Sequence, residues 1–164
     1  MPSPSRSKSR NTESSSPEAA WQYALRLLTA RDYTAARLRE KLRSRQFAAA
    51  DVDVTIARLE AERLLDDRRF AERFATSALE SGRFFGPRLK MEMRRRGLAA
   101  GLVDAVLGEL LAEYDEGENL AAVLERRFPG FDAAKADDRE KRRVVGFLQR
   151  RGFGLGEIFK ALKA

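Results

Sequence analysis

The chain has 164 residues, with 32 Lys plus Arg against 25 Asp plus Glu, a formal charge of +7, and neither Cys nor His. Without Cys or His, disulfides, zinc sites and the Ser-His-Asp or Cys-His constellations are excluded in their usual forms. No run approaches the roughly 18 apolar residues that a membrane span needs, so the chain reads as cytosolic with no membrane partner, and its cationic surplus favours an anionic one.

Residues 1–17 hold seven Ser and three Pro and no aliphatic residue beyond Met1. Such a segment cannot bury enough apolar surface to offset ordering entropy, so a disordered basic arm is expected. No apolar h-region follows its basic residues, which excludes a signal peptide. Helix formers dominate everything after it, and every element is read as a helix.

The first three-helix unit covers 18–63. A helix from about Pro17 to Arg31 turns inward with Ala20, Ala24, Leu27 and Leu28. Thr34 is a suitable N-cap for a helix to about Arg45. A third helix, about Ala50 to Arg63, places Val52, Ile56 and Leu59 on one face. The second unit covers 64–114. Asp66 and Asp67 are placed to cap a helix from Arg68 to Ser81. Gly86-Pro87 opens the next helix, with Pro where its missing N–H costs nothing. Gly97 stands where a left-handed residue ends it, and a helix from about Gly101 to Glu113 follows. The third unit, 115–164, is the irregular one. A short helix from Asn119 to Arg127 is broken by Phe128-Pro129-Gly130-Phe131. Helices from Arg139 to Arg151 and from Leu155 to Leu162 complete it.

One spacing links the three. Leu38, Leu42, Phe47, Val52 and Ile56 stand at intervals of 4, 5, 5 and 4. Leu89, Met93, Leu98, Val103 and Leu107 repeat those intervals, as do Val144, Leu148, Phe153, Ile158 and Leu162. The units are offset by 51 and then 55 residues, counted from Leu38 to Leu89 to Val144. Repeated units too small to bury a core alone imply an all-α tandem array, expected to form an elongated, curved rod with shared apolar contacts. Such arrays grip extended partners more often than they enclose a small substrate.

The cations collect on the second helix of each unit. Arg37, Arg39, Lys41, Arg43 and Arg45 lie in the first, and Arg88, Lys90, Arg94, Arg95 and Arg96 in the second. Arg139, Lys141, Arg142, Arg143, Arg150 and Arg151 lie in the third. Arg37 and Arg39 stand about 100° to either side of Leu38, so the cations flank the buried stripe. Arg45 and Arg96 fall nearer the buried side at helix C-termini and are read as structural. The third helices are acidic, with six acids in 51–67 and six in 104–118. Mutual neutralisation therefore competes with partner binding for each charge. The candidate partner-binding residues are Arg37, Arg39, Lys41, Arg43, Arg88, Lys90, Arg94, Arg95, Arg142 and Arg143.

No catalytic set, metal site or cofactor motif emerges. Glu60 and Glu62 face different ways on a helix, and Asp66-Asp67 sits where a cap is wanted. The glycines of 152–156 lack the Lys and strand of a phosphate loop and read as an interhelical turn. Phe84, Phe85 and Phe131 follow the core register, not a base-stacking surface. A non-enzyme is expected, and a monomer, since no long apolar heptad is left unpaired.

The run Leu64-Leu65-Asp66-Asp67-Arg68-Arg69-Phe70-Ala71-Glu72-Arg73-Phe74 resembles the signature of the RecX family. So does Gly86-Pro87-Arg88-Leu89 followed by Glu92-Met93-Arg94-Arg95-Arg96-Gly97-Leu98. Tyr33 to Phe47 is similar to the family's first unit, and Phe147-Leu148-Gln149-Arg150-Arg151-Gly152-Phe153 to its last. The likeness runs from Ala19 to Leu162. Arg63 and Gln46 stand where the family often has Gly, and the third unit's first helix is weak. The resemblance implies a cytoplasmic regulator, mainly an inhibitor, of the recombinase RecA. It implies a protein that lodges in the RecA–DNA filament groove, restrains ATPase, strand exchange and SOS coprotease activity, and binds single- and double-stranded DNA weakly. The alternative from the residues alone is a general DNA-binding module with helix-turn-helix-like units.

Overall fold

The computed structural model describes residues 16–163, and these hold nine helices and no strand. The expected N-terminal arm lies outside the described residues except for its last two. Ser16 caps the first helix by accepting the Ala19 N–H at 3.1 Å, and Pro17 occupies its first turn.

The chain divides into two compact units at Asp66/Asp67. The first holds α1 (Pro17–Ala30), α2 (Ala35–Ser44) and α3 (Ala49–Ala61). Thr34 caps α2 as its sequence position suggests, accepting the Arg37 N–H at 3.2 Å. The core collects Ala20, Trp21, Ala24, Tyr33, Leu38, Leu42, Val52, Ile56, Leu59 and Leu65. Leu38, Leu42 and Leu59 are fully buried, each contributing about 1.5–3 kcal/mol relative to exposure. Arg58 stacks 3.8 Å above the Trp21 ring and closes one side of this core.

The second unit holds α4 (Asp67–Glu80), α5 (Gly86–Arg95), α6 (Ala100–Leu111), α7 (Glu116–Arg127), α8 (Asp138–Arg151) and α9 (Leu155–Ala161). Its six helices share one apolar cluster, from Ala71 to Ile158. Phe85, just before α5, stacks on Phe153, just after α8, with centroids 3.9 Å apart. The Phe85 N–H donates to the Arg151 carbonyl at 2.7 Å. A Cβ on Gly152 would overlap the Phe85 carbonyl oxygen. These contacts join the chain around α5 to the chain around α8 through backbone as well as side chains.

Helix α7 is longer than the sequence suggests, starting at Glu116 and not Asn119. Asp115 accepts the Glu118 N–H at 2.9 Å, and Glu116 and Glu118 sit in the first turn. Cap and helix dipole together offset the helix-breaking tendency of Gly117. Asp137 caps α8 in the same way, accepting the Glu140 N–H at 2.7 Å.

One turn recurs after each second helix. Gln46, Gly97 and Gly152 all have positive φ, at 65°, 83° and 104°. The Gln46 N–H reaches the Arg43 carbonyl and the Phe47 N–H the Leu42 carbonyl, the paired bonds of a Schellman ending. Arg63, at φ 56°, ends α3 with the same pair of bonds. Gln46 and Arg63 are thus non-glycine residues in a conformation that glycine adopts without strain.

Candidate partner-binding surface

The buried stripes of α2, α5 and α8 leave their cations on the outer faces, and what each cation meets there differs along the chain. On α2, Arg37 pairs with Glu40 at 2.8 Å. Arg39 reaches across to Asp53 of α3 at 3.4 Å. Lys41 and Arg43 are exposed and make no ion pair among the described residues. Arg45 lies 5.0 Å above the Tyr23 ring, the structural position its sequence register suggests.

On α5 the cations converge on one carboxylate. Glu92 is only 5 % exposed, yet it receives Arg88 at 2.9 Å, Arg95 at 3.2 Å and Arg96 at 3.1 Å. Burial raises the Glu92 pKa. The Arg96 hydrogen bond and the charges of Arg95, Arg88 and Arg96 more than offset this, holding the carboxyl below its ordinary 4.5. Arg96 also donates to the Glu92 carbonyl at 2.7 Å and covers Phe74, 4.1 Å from the ring centroid. Lys90 crosses to Asp104 of α6 at 2.6 Å. Arg94 alone of the five is exposed with no ion pair among the described residues.

Sequence reasoning missed Glu92 as the hub of this cluster. The signal was there: it stands four residues after Arg88, three before Arg95 and four before Arg96, the spacings that meet on a helix. Two further contacts obey the 51-residue offset. Arg39–Asp53 becomes Lys90–Asp104, and Arg45–Tyr23 becomes Arg96–Phe74. Internal pairing therefore takes up Arg37 and Arg39 of α2 and four of the five cations of α5.

Helix α8 is different. Arg139, Lys141, Arg142 and Arg150 make no ion pair among the described residues. Arg142 and Arg143, adjacent in sequence, part company. Arg142 lines an open groove of about 420 Å³ between α8 and α9, with Asp138, Lys141, Val145, Gly146, Gln149 and Phe159. Arg143 turns toward the end of α7, 5.5 Å above the Phe128 ring.

No group of three or more acidic side chains among the described residues is arranged to hold a metal, and none of their helices is long and apolar enough to cross a membrane.

The comparisons follow the same division into helices. Family models for the first, second and third three-helix domains of RecX match residues 20–59, 66–107 and 113–162. Regulatory protein RecX of Trichlorobacter lovleyi is 48% identical over 142 residues, covering 87% of this chain and 92% of that protein. Regulatory protein RecX of Halorhodospira halophila is 42% identical over 148 residues, covering 90% and 88%. A crystal structure of RecX from Lactobacillus salivarius superposes with a TM-score of 0.72 at 17% identity, over 90% of this chain and 94% of that one. Three matched domains in order, and relatives alike over nearly their whole length, place this chain in the RecX family.

Proposed function

We propose that this chain is a non-enzymatic, cytoplasmic regulator of RecA, acting as a monomer. It binds the RecA–DNA filament along its groove and restrains ATP hydrolysis, strand exchange and SOS coprotease activity. The observation that carries this reading is that second-helix cations are left over once internal pairing is complete, among them Lys41, Arg43, Arg94 and Arg142, all exposed. Arg43 and Arg94 hold the same register in successive units. A repeated, uncommitted guanidinium suits a repeated anionic partner, and its planar fork suits carboxylate and phosphate alike. The relatives are named regulatory proteins, and the family resemblance of the sequence motifs points to RecA as the partner.

The test is RecA ATPase on single-stranded DNA. The chain slows turnover at low ratio to RecA, and replacing Lys41, Arg43, Arg94 and Arg142 together with Ser weakens the effect. Unchanged turnover at saturating protein would overturn the proposal. Tight, steeply salt-dependent binding to bare duplex, with no added affinity for RecA-coated DNA, would favour a general DNA-binding module instead.

A further inference from the structure

The fold assembles a second basic surface from residues that lie mostly outside the three cation-rich segments. Phe128, at the end of α7, meets Phe147 of α8 edge-on, with centroids 5.2 Å apart. Guanidiniums cover both rings. Arg143 lies 5.5 Å from the Phe128 centroid, and Arg127 and Arg151 lie 5.8 Å and 4.7 Å from that of Phe147. Arg151 donates to the Gly82 carbonyl at 3.0 Å, which brings in the turn before α5. Arg126 reaches the neighbouring Ser81 carbonyl at 3.5 Å. Arg83 is the next residue of that turn. Burial, then the charges of Arg127 and Arg83, lower the Arg151 pKa, in keeping with cations gathered together.

None of Arg83, Arg126, Arg127, Arg143 and Arg151 makes an ion pair with a carboxylate among the described residues. This is the reverse of α5, where one buried acid serves three arginines. Five like charges from three elements repel one another and gain from an external polyanion. A guanidinium stacked on a ring keeps its N–H donors at the edge, free to fork onto an oxyanion. Both rings are half-buried and lie under guanidiniums, so the patch presents N–H donors around its aromatic surface.

We infer that this patch is a nucleic-acid backbone site, binding the phosphodiesters of a DNA strand without reading its bases. It shares no residue with Lys41, Arg43, Arg94 and Arg142, the helix cations invoked for RecA regulation, and its test uses no RecA.

Fluorescence anisotropy of a labelled oligonucleotide, single-stranded or duplex, is followed across a salt series. Arg126, Arg127 and Arg143 are replaced together with Ser; Arg151 is kept because it ties the Gly82 turn. Three lost phosphate contacts at about 0.7–0.9 each lower the slope of log K against log salt by roughly two to three. The charge-conserving set R126K/R127K/R143K keeps the slope, which separates charge loss from a folding defect. An unchanged slope in the Ser variant overturns the site, as does a wild-type protein with no measurable binding at low salt. A Ser variant that loses RecA restraint but keeps its DNA slope also overturns it, and makes the patch a protein contact. Failure of the RecA reading leaves the bare-DNA result standing.

Discussion

The α5–α6 and α8–α9 pairs share a frame and differ in what decorates it. Leu89, Met93, Leu98 and Val103 are buried in one, and Val144, Leu148, Phe153 and Ile158 occupy the same register in the other. Between α5 and α6, Lys90 and Asp104 form an ion pair. Shifted by 55, that pair becomes Val145 and Phe159, which line the open groove instead. Phe159 is 50% exposed and Leu155, one turn before it, 47%. The lesson is that apolar anchors set the geometry while surface charge changes freely upon it. Where the ionic latch is present a cation is consumed; where it is absent, Lys141 and Arg142 remain uncommitted beside an exposed aromatic.

The sharpest way to break the comparison is at its shared turn. Gly97 and Gly152 are equivalent, both left-handed, and Gly152 lies against the Phe85 carbonyl. Gly152→Ala combines a positive-φ penalty with overpacking against backbone, and is expected to cost about 3 kcal/mol or more. Gly97→Ala is expected to cost about 1–2 kcal/mol from φ alone. Urea unfolding of the two variants, side by side, checks the difference. Equal losses would show that the link between Phe85 and Gly152 adds nothing.

Next in size is Glu92. Its removal leaves Arg88, Arg95 and Arg96 facing one another without their shared acid. The arginines are partly exposed, so water screens part of the loss, and Glu92→Gln is expected to cost about 1–2 kcal/mol. The acid limb carries a second signature. A carboxyl whose folded pKa lies below 4.5 contributes stability that is full above 4.5 and is lost as pH falls through the lowered value. The wild type therefore loses melting temperature more steeply than E92Q once pH drops below about 4.5. Parallel acid limbs would remove Glu92 from the balance.

Smaller, and opposite in sign, are the two left-handed residues of the first unit. Gln46→Gly and Arg63→Gly each relieve a positive-φ side chain and are expected to stabilise by about 1 kcal/mol. Thermal melts of the single variants measure this, and a loss in either would mean its side chain contributes more than its backbone costs.

These positions also mark what could be read from the sequence. The 4-5-5-4 spacing identified the buried anchors because burial on a helix is periodic, and periodicity survives in one dimension. Thr34 and Gly97 were legible because caps and left-handed turns are local. Pairing is not. The meeting of Phe85 with Phe153, and of Arg126 and Arg127 with the Ser81-Gly82 turn, depends on how α4–α9 pack, and no spacing encodes that. Glu92 lay between the two cases: its i−4, i+3 and i+4 arginines were visible, but its burial was not. For the same reason ten candidate cations of equal standing in sequence separate into committed ones, such as Arg39, Arg88 and Lys90, and uncommitted ones, such as Lys41, Arg43 and Arg94.

The smallest expected effect on stability concerns the latch itself. Val145→Lys with Phe159→Asp writes the Lys90–Asp104 pair into α8–α9 at the same register. An exposed ion pair is worth about 0–1 kcal/mol, and a half-exposed Phe gives up little when removed, so stability is expected to shift by less than about 1 kcal/mol. Function is a different matter. The carboxylate introduced in place of the Phe159 ring would stand in a groove lined by Asp138, Lys141 and Arg142, and as a second acid there would draw the two cations inward. If uncommitted cations are what the filament meets, this double variant weakens restraint of RecA ATPase as Arg142→Ser does, with the fold intact by circular dichroism. Full restraint in the double variant would show that leaving α8 unlatched matters to neither stability nor partner, and the difference between the two helix pairs would be surface drift on a common frame.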